Sequence, residues 1–335
     1  MKCKRTVLPL LGTAFEPGRL ADTLNEFEDE ELAEIAQAEA YFFSAQAEAC
    51  VKIVEKYLNS EDVILRMSAD MLYTFANLTL GDAMAAQMAR EDVHICLKKA
   101  LEDEIDLETQ ASCLFALYVI SVLIHIPPEK EMPLLSDYLR YLPEGQRLFA
   151  MNLLAHGAYL NQEYAKGQGM AQTAMMMAEK MYPIPFIYLN CVNAMCQINQ
   201  KDQEGARESV IRAWEIARQD KLLEPFIEHH GLLQGVLEVW VKQREPYVYK
   251  KMMDGVIAFS RGWMKIHNPE MQKAVTDLLT PVEFSIAMLA CRDWTNQEIA
   301  EHMGLSVNTV KHYVSTILEK LQIDKRDKIK EFVNQ

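Results

Sequence analysis

The amino-acid sequence predicts an all-α protein: a helical-repeat solenoid followed by a small four-helix module at the C-terminal end. Three observations predict it. Ala, Met, Leu and Glu dominate roughly the first 260 positions, and these are good helix formers, whereas alternating Val/Ile/Thr runs are scarce. Polar, glycine or proline breaks divide this region into pieces of about 14 to 20 residues, the length of ordinary packed helices. Near residue 280 the pattern changes to short helices, two of them introduced by a threonine with a glutamate three positions on, the sign of a capping box.

Taken in order, "MKCKRTVLPLLGTAF" has a basic start and a short apolar run. Pro9 interrupts the run and no small-x-small site follows, so a secretory signal is not expected. From residue 29 to 265 the chain reads as successive helices. Breaks are expected near Asn59-Ser60, Gly81-Asp82, Pro127-Pro128, Pro143-Glu144-Gly145, Pro183–Pro185 and Asp202. The apolar stretch "ASCLFALYVISVLIHI" (111–126) falls short of the ~20 residues that span a bilayer, so it predicts a buried helix closed by Pro127 and Pro128.

A register repeats along the array. A shift of 39 places Ala155 on Ala194, Gly167 on Ala206, Ala174 on Ala213 and Ala178 on Ala217; a shift of 40 places "PFI" (185–187) on "PFI" (225–227). Small residues recurring at one register allow the close helix–helix approach that stacked hairpins need. The seven cysteines form no Cys-x-x-Cys pair, and scattered thiols on helices suit a reducing cytoplasm.

"AEAYFFSAQAEACVKIVEKYL", "EYAKGQGMAQTAMMMAEK" and "DQEGARESVIRAWEIAR" resemble the tetratricopeptide-like array of bacterial regulators related to the maltose-regulon activator. The resemblance covers residues 30 to 245 and implies a sensing or interaction domain. Larger members carry an ATPase domain. Here no glycine is followed by lysine, so the phosphate-cradling Gly-x-x-x-x-Gly-Lys-Ser/Thr loop is absent and ATP-driven assembly is not carried over.

Domain boundaries are expected at 1–268 for the repeat domain, 269–278 for a connector and 279–335 for the C-terminal module. Thr280 with Glu283, and Thr295 with Glu298, define two helix starts, Pro281 taking the first position of the former. Gly304 supplies a tight turn and Ser306 caps the next helix. In that helix Val310, Val314, Ile317, Leu318 and Leu321 make one apolar stripe, expected to face Ile286, Leu289, Ile299 and Met303. Asn308, Lys311, His312 and Ser315 are left on the opposite face, with donors and acceptors of the kind that read base edges in the major groove.

"LTPVEFSIAML…TNQEIAEHMGLSVNTVKHYVSTILEKLQIDKRDKI" resembles a LuxR-type helix-turn-helix domain along its whole length. The resemblance implies that Lys311, His312, Ser315 and Thr316 face bases. It places Thr295, Asn296, Asn308, Thr309 and Lys320 toward phosphate. Ser315 is often basic in the family. Val282, Ala287 and Asp293 depart from the usual arginine, leucine and glycine. A fourth helix, Lys325 to Gln335, commonly pairs subunits, and Ile329 and Val333 lie four apart on one of its faces.

Charge agrees with a small DNA-reading module on an acidic body. The chain carries −14 overall and residues 280–335 carry −1, which leaves −13 for the rest, while 311–330 alone carry +3. That body could cover Lys311 in the absence of a signal, or its charge could serve solubility alone.

No Gly-x-Ser-x-Gly, His-Glu-x-x-His or paired-carboxylate pattern stands out, so no catalytic residue and no cofactor is expected. No metal is expected at Glu228-His229-His230, since adjacent helical positions point about 100° apart. Met175-Met176-Met177 read as helix packing, with an adaptable ligand groove as the alternative, and Trp214, Trp240 and Trp263 read as structural anchors. A phosphoacceptor domain needs alternating strands and helices that this N-terminal part lacks, so a response regulator is not expected.

The first reading is therefore a cytoplasmic transcription regulator. Its partners would be double-stranded DNA, as a homodimer, a small-molecule or protein effector, and RNA polymerase, with no membrane involved. A sigma-factor-like initiation subunit and a protein-binding scaffold are the alternatives.

Overall fold

In the computed structural model, residues 5–102, 106–126, 132–267 and 278–330 are described, and all regular structure among them is helical. The helices begin where side chains can satisfy otherwise orphaned backbone amides. Asp29 accepts from the amides of Glu31 and Leu32 at the start of α2 (Glu30–Phe43). Asp62 does the same for α4 (Val63–Leu80), and Asp106 for α6 (Leu107–Leu123). Gly81 closes α4 at φ 79°, a left-handed conformation that a residue with a Cβ resists. Pro183 opens α10 (Pro183–Asn199) from its first turn.

Two layers result. Helices α2, α4, α6, α8 (Glu144–Leu160), α10 and α12 (Glu224–Leu233) follow one another as an inner row. Helices α3 (Ala47–Val54), α5 (Ala83–Glu102), α9 (Tyr164–Met177), α11 (Gln203–Ala217) and α13 (Val236–Arg244) lie outside it. Short helices α1 (Leu20–Leu24) and α7 (Leu135–Tyr138) sit in the connections. The inner row returns on itself. The amide of Leu223, just before α12, donates to the Phe43 carbonyl at the end of α2 at 2.7 Å, and the Phe43 ring meets Tyr188 of α10 edge-on.

The repeating register has a physical basis. Ala155, Ala194, Ala206 and Ala213 are all fully buried where α8, α9, α10 and α11 cross. A Cβ on Gly167 would lie 2.9 Å from the Ala155 carbonyl oxygen and 2.9 Å from Cys196 Sγ, so only glycine lets α9 seat there. Helix α6 is buried as expected; Pro127 and Pro128 lie outside the described residues. No helix among the described residues is long and apolar enough to cross a membrane.

Two features depart from the sequence reading. Gln234 and Gly235, with φ 47° and 91°, make a break between α12 and α13 beyond those expected. An inner face open along its whole length is also not what forms. Val7, Leu8, Leu10 and Leu11 are buried against the inner helices, and Glu39 of α2, itself fully buried, accepts from the amides of Leu10 and Leu11 at 2.8 Å each. The Leu8 amide donates to Ser68 of α4, and Gln146 of α8 reaches the Val7 carbonyl. The first described segment of the chain thus covers part of the surface that a solenoid would offer to a partner.

Helix α14 (Pro246–His267) packs against α4, α5, α12 and α13. The expected connector, 269–278, falls outside the described residues except for Leu278. Beyond it the C-terminal module comprises α15 (Pro281–Cys291), α16 (Asn296–Met303), α17 (Val307–Lys320) and a 3-10 turn at Arg326–Ile329. The module docks on the body through α15 and α16. His302 Nε2 bonds the Gln234 carbonyl at 2.8 Å, and the Met303 thioether fills the space where Gly235 has no side chain. Lys201 Nζ meets Glu298 at 2.6 Å and holds that carboxyl down to about 2.

Candidate nucleic-acid interface

Both expected capping boxes form. Thr280 accepts from the Glu283 amide and Glu283 returns to the Thr280 amide; Thr295 and Glu298 repeat this at α16. Gly304 closes α16 at φ 63°, and Ser306 caps α17 through the Thr309 amide. A rigid start to each helix sets the angle between α16 and α17.

Val310, Val314, Ile317 and Leu321 are buried and Leu318 half-buried, against Ile286, Leu289, Ile299 and Met303. That packing fixes the rotation of α17. Lys311, His312, Ser315 and Asn308 consequently lie on its exposed side. The body does not cover them, since it meets α15 and α16 instead. Thr316 is half-buried and donates to the His312 carbonyl at 3.1 Å.

Residues 277–332 match the family model for bacterial regulatory proteins, luxR family. The C-terminal module is a LuxR-family helix-turn-helix domain. The chain is 38% identical over 64 residues to the response regulator protein VraR of Staphylococcus saprophyticus subsp. saprophyticus, covering 19% of this chain and 31% of that protein. It is 34% identical over 86 residues to VraR of Staphylococcus aureus (strain Mu3), covering 23% of this chain and 41% of the relative. The chain therefore spans well under half the length of these relatives. No solved structure matches.

Within the LuxR-family domain, the residues expected to face phosphate are differently placed. Thr295 is exposed at the head of α16, with its hydroxyl turned to the Glu298 amide. Asn296 accepts from Arg326 Nη1 at 2.7 Å, leaving its amide nitrogen for a further partner. Thr309 shares a hydrogen bond with Ser306 at 2.7 Å. Lys320 Nζ is bonded to both oxygens of the buried Glu283, at 2.8 and 2.7 Å, so its charge is committed inside the domain.

The expected seam on Ile329 needs correcting. Ile329 is fully buried in the domain's core, and residues 326–329 form a 3-10 turn, so Ile329 offers no apolar seam to a second copy. Val333 lies outside the described residues.

Arg326 was not singled out from the sequence. It reaches the Trp294 carbonyl as well as Asn296 and so ties the last turn to the start of α16. Only its basic character, in a basic segment, marked it beforehand.

Asp293, where a glycine is usual, adopts φ 61°. An aspartate tolerates this left-handed conformation at a cost, and its pairing with Lys330 involves a side chain 80% exposed. Asp293→Gly should therefore stabilise the protein by about 0.5 kcal/mol in chemical denaturation. A loss of stability would mean that the Lys330 pair outweighs the backbone strain.

Away from this domain, Asp70, Asp92 and Cys96 bring three ligating atoms together. Arg66 engages both oxygens of Asp92, and burial raises Asp70 to about 9. A neutral Asp70 hydrogen-bonded to a guanidinium-paired Asp92 accounts for the trio without an ion.

Proposed function

We propose that the chain is a sequence-specific DNA-binding transcription regulator in which residues 1–268, tetratricopeptide-like in sequence, sense an effector, 269–278 connect, and 279–335 read DNA. The observation that carries this is the rotation of α17. Its buried stripe leaves Lys311, His312 and Ser315 uncovered on a helix of the width the major groove admits. Thr316 lies beside them. Thr295, Asn296, Asn308 and Thr309 sit at helix starts, where amides and short polar side chains hold phosphate.

One such module contacts few bases, so two copies on an inverted repeat would supply useful affinity. Their seam would lie elsewhere than on Ile329. RNA polymerase is the natural recipient of the output, and the effector acts through the body because the body holds α15 and α16.

Footprinting purified protein across its genome tests the reading. Enriched sites sharing one inverted motif are expected, and uniform occupancy would sink it.

Lys320 gives a second test. Lys320 can neutralise a phosphate only if its pair with Glu283 opens on DNA, in which case Lys320→Met weakens all DNA sequences about equally and lowers the salt slope by about one. It should also cost the domain about 1–3 kcal/mol, because Glu283 is left buried and unpaired. An unchanged salt slope with reduced stability would confine Lys320 to its structural role.

A further inference from the structure

A cavity of about 1100 Å³ lies between the body and the LuxR-family domain. Helices α6, α8, α12 and α14 wall it on one side and α15 on the other, so its shape exists only while the domain is docked.

Its polar groups are unusual for a seam between two packed units. His125, His156, His229 and His267 all line it. Among the described residues His156 Nδ1 and His229 Nε2 have no hydrogen-bond partner, and both atoms are closed off from the cavity, on residues each 1% exposed. His229 Nδ1 donates to the Pro225 carbonyl at 2.8 Å, which fixes Nε2 as a lone-pair acceptor in the neutral ring.

The charge balance is also one-sided. In a chain of −14, the carboxyl among the described lining residues is Glu228, which accepts from Tyr188 and is raised by burial toward its neutral form. Opposite stands Arg292, from the end of α15. Its guanidinium lies over the Tyr159 ring at 5.6 Å and donates to the Tyr159 hydroxyl at 2.5 Å and to Asn199, both neutral partners. From Arg292 the rings run on in contact: Tyr159 to His156 at 5.9 Å, then His156 to His229 at 5.4 Å. Trp263 and Phe284 supply apolar aromatic wall.

Metal chemistry fits less well. Among the described residues, these imidazoles do not bring three ligating nitrogens within 4.8 Å of one another. Burial also holds His125 and His229 down to about 4, so they are neutral acceptors rather than an imidazolium cluster.

We infer that this cavity is the effector site, and that its ligand is a small aromatic carboxylate. The carboxylate pairs with Arg292, and the aromatic body packs against Trp263 and Phe284. This rests on the regulator reading above. Because the walls come from both units, occupancy is coupled to docking of the DNA-reading domain and hence to DNA affinity.

The test uses the full chain and a panel of such acids, from 4-hydroxybenzoate to indole-3-acetate, each beside its primary amide. Binding is read by calorimetry and by tryptophan fluorescence, without DNA. At least one acid should bind, with its amide weaker by about tenfold or more, the worth of one charge-assisted hydrogen bond. Arg292→Gln should bring the acid down to its amide, and Ser260→Trp, which places a bulky side chain in the cavity, should abolish binding while the thermal melt is retained.

No binding by any acid, equal binding of acid and amide, or full binding by folded Ser260→Trp would overturn the site. Cobalt(II) spectra showing tetrahedral imidazole ligation there would overturn the ligand class. DNA binding by the ligand-free protein is measured separately, so its failure would count against the regulator reading and not be confused with failure of the cavity.

Discussion

Lys311→Ala should weaken binding to the best site recovered by footprinting by about 1–3 kcal/mol and relax preference at one base pair. The size follows from what Lys311 does in the free protein. It is exposed on α17 and makes no hydrogen bond or ion pair among the described residues, so its removal leaves the fold untouched. The whole effect should therefore appear in DNA affinity and none in the melting temperature. His312→Ala should act similarly at a neighbouring base pair. Thr316→Val should act less, since its hydroxyl is already held by the His312 carbonyl. Fluorescence anisotropy on the site and its single-base-pair variants decides the matter. Unchanged affinity of folded Lys311→Ala would remove α17 from base reading.

Gly262→Ala should cost about 3 kcal/mol of stability, an overpacking effect at the top of the usual range. A Cβ there would meet the backbone of Leu78 at the end of α4, with its carbonyl oxygen 1.9 Å and its carbonyl carbon 2.6 Å away. Backbone cannot step aside as a flexible side chain can, so α14 must lift off α4 or the helix end must unwind. Gly157→Ala on α8 is the control, because nothing lies within 4 Å of its Cβ position. That change should stabilise by about 0.5–1 kcal/mol, the difference in helix propensity. Urea denaturation of both variants gives opposite signs if the contact is real. Equal and positive changes would show that α14 does not sit on α4.

These two experiments address different levels of legibility. The face of α17 was readable because one helix's stripe, its cap and its glycine turn all lie within thirty consecutive residues, and local periodicity determines rotation. The same holds for both capping boxes and for the Ala155/Ala194 register. Gly262 was not readable, because an isolated glycine inside a helical pattern carries no mark of the strand of backbone that crosses it 184 positions away.

The same distinction separates the expectations about pairing. Ile329 and Val333 looked like an exposed seam because spacing shows that two residues share a face, not what covers that face. In the fold Ile329 turns inward, and Arg326 closes the turn over it onto Trp294 and Asn296. Lys320 was readable as a basic residue near DNA but not as the partner of Glu283, whose burial creates the demand for a counter-charge. The N-terminal apolar run was readable as something to bury, and only the inner helices, with Glu39 placed to accept two amides, decided where.

By itself the sequence determined the all-helical class, the capped helix starts, and which residues lie on the exposed face of α17. These follow from capping chemistry, helix propensity and a 3.6-residue period, all of which act over one or two turns. The tertiary structure alone decided that the inner row returns on itself, that α16 is held at the break at Gln234-Gly235, and that Arg292 meets Tyr159 and Asn199 across the cavity wall. Those depend on contacts between residues far apart in the chain, where burial and charge are set by neighbours that no local pattern specifies.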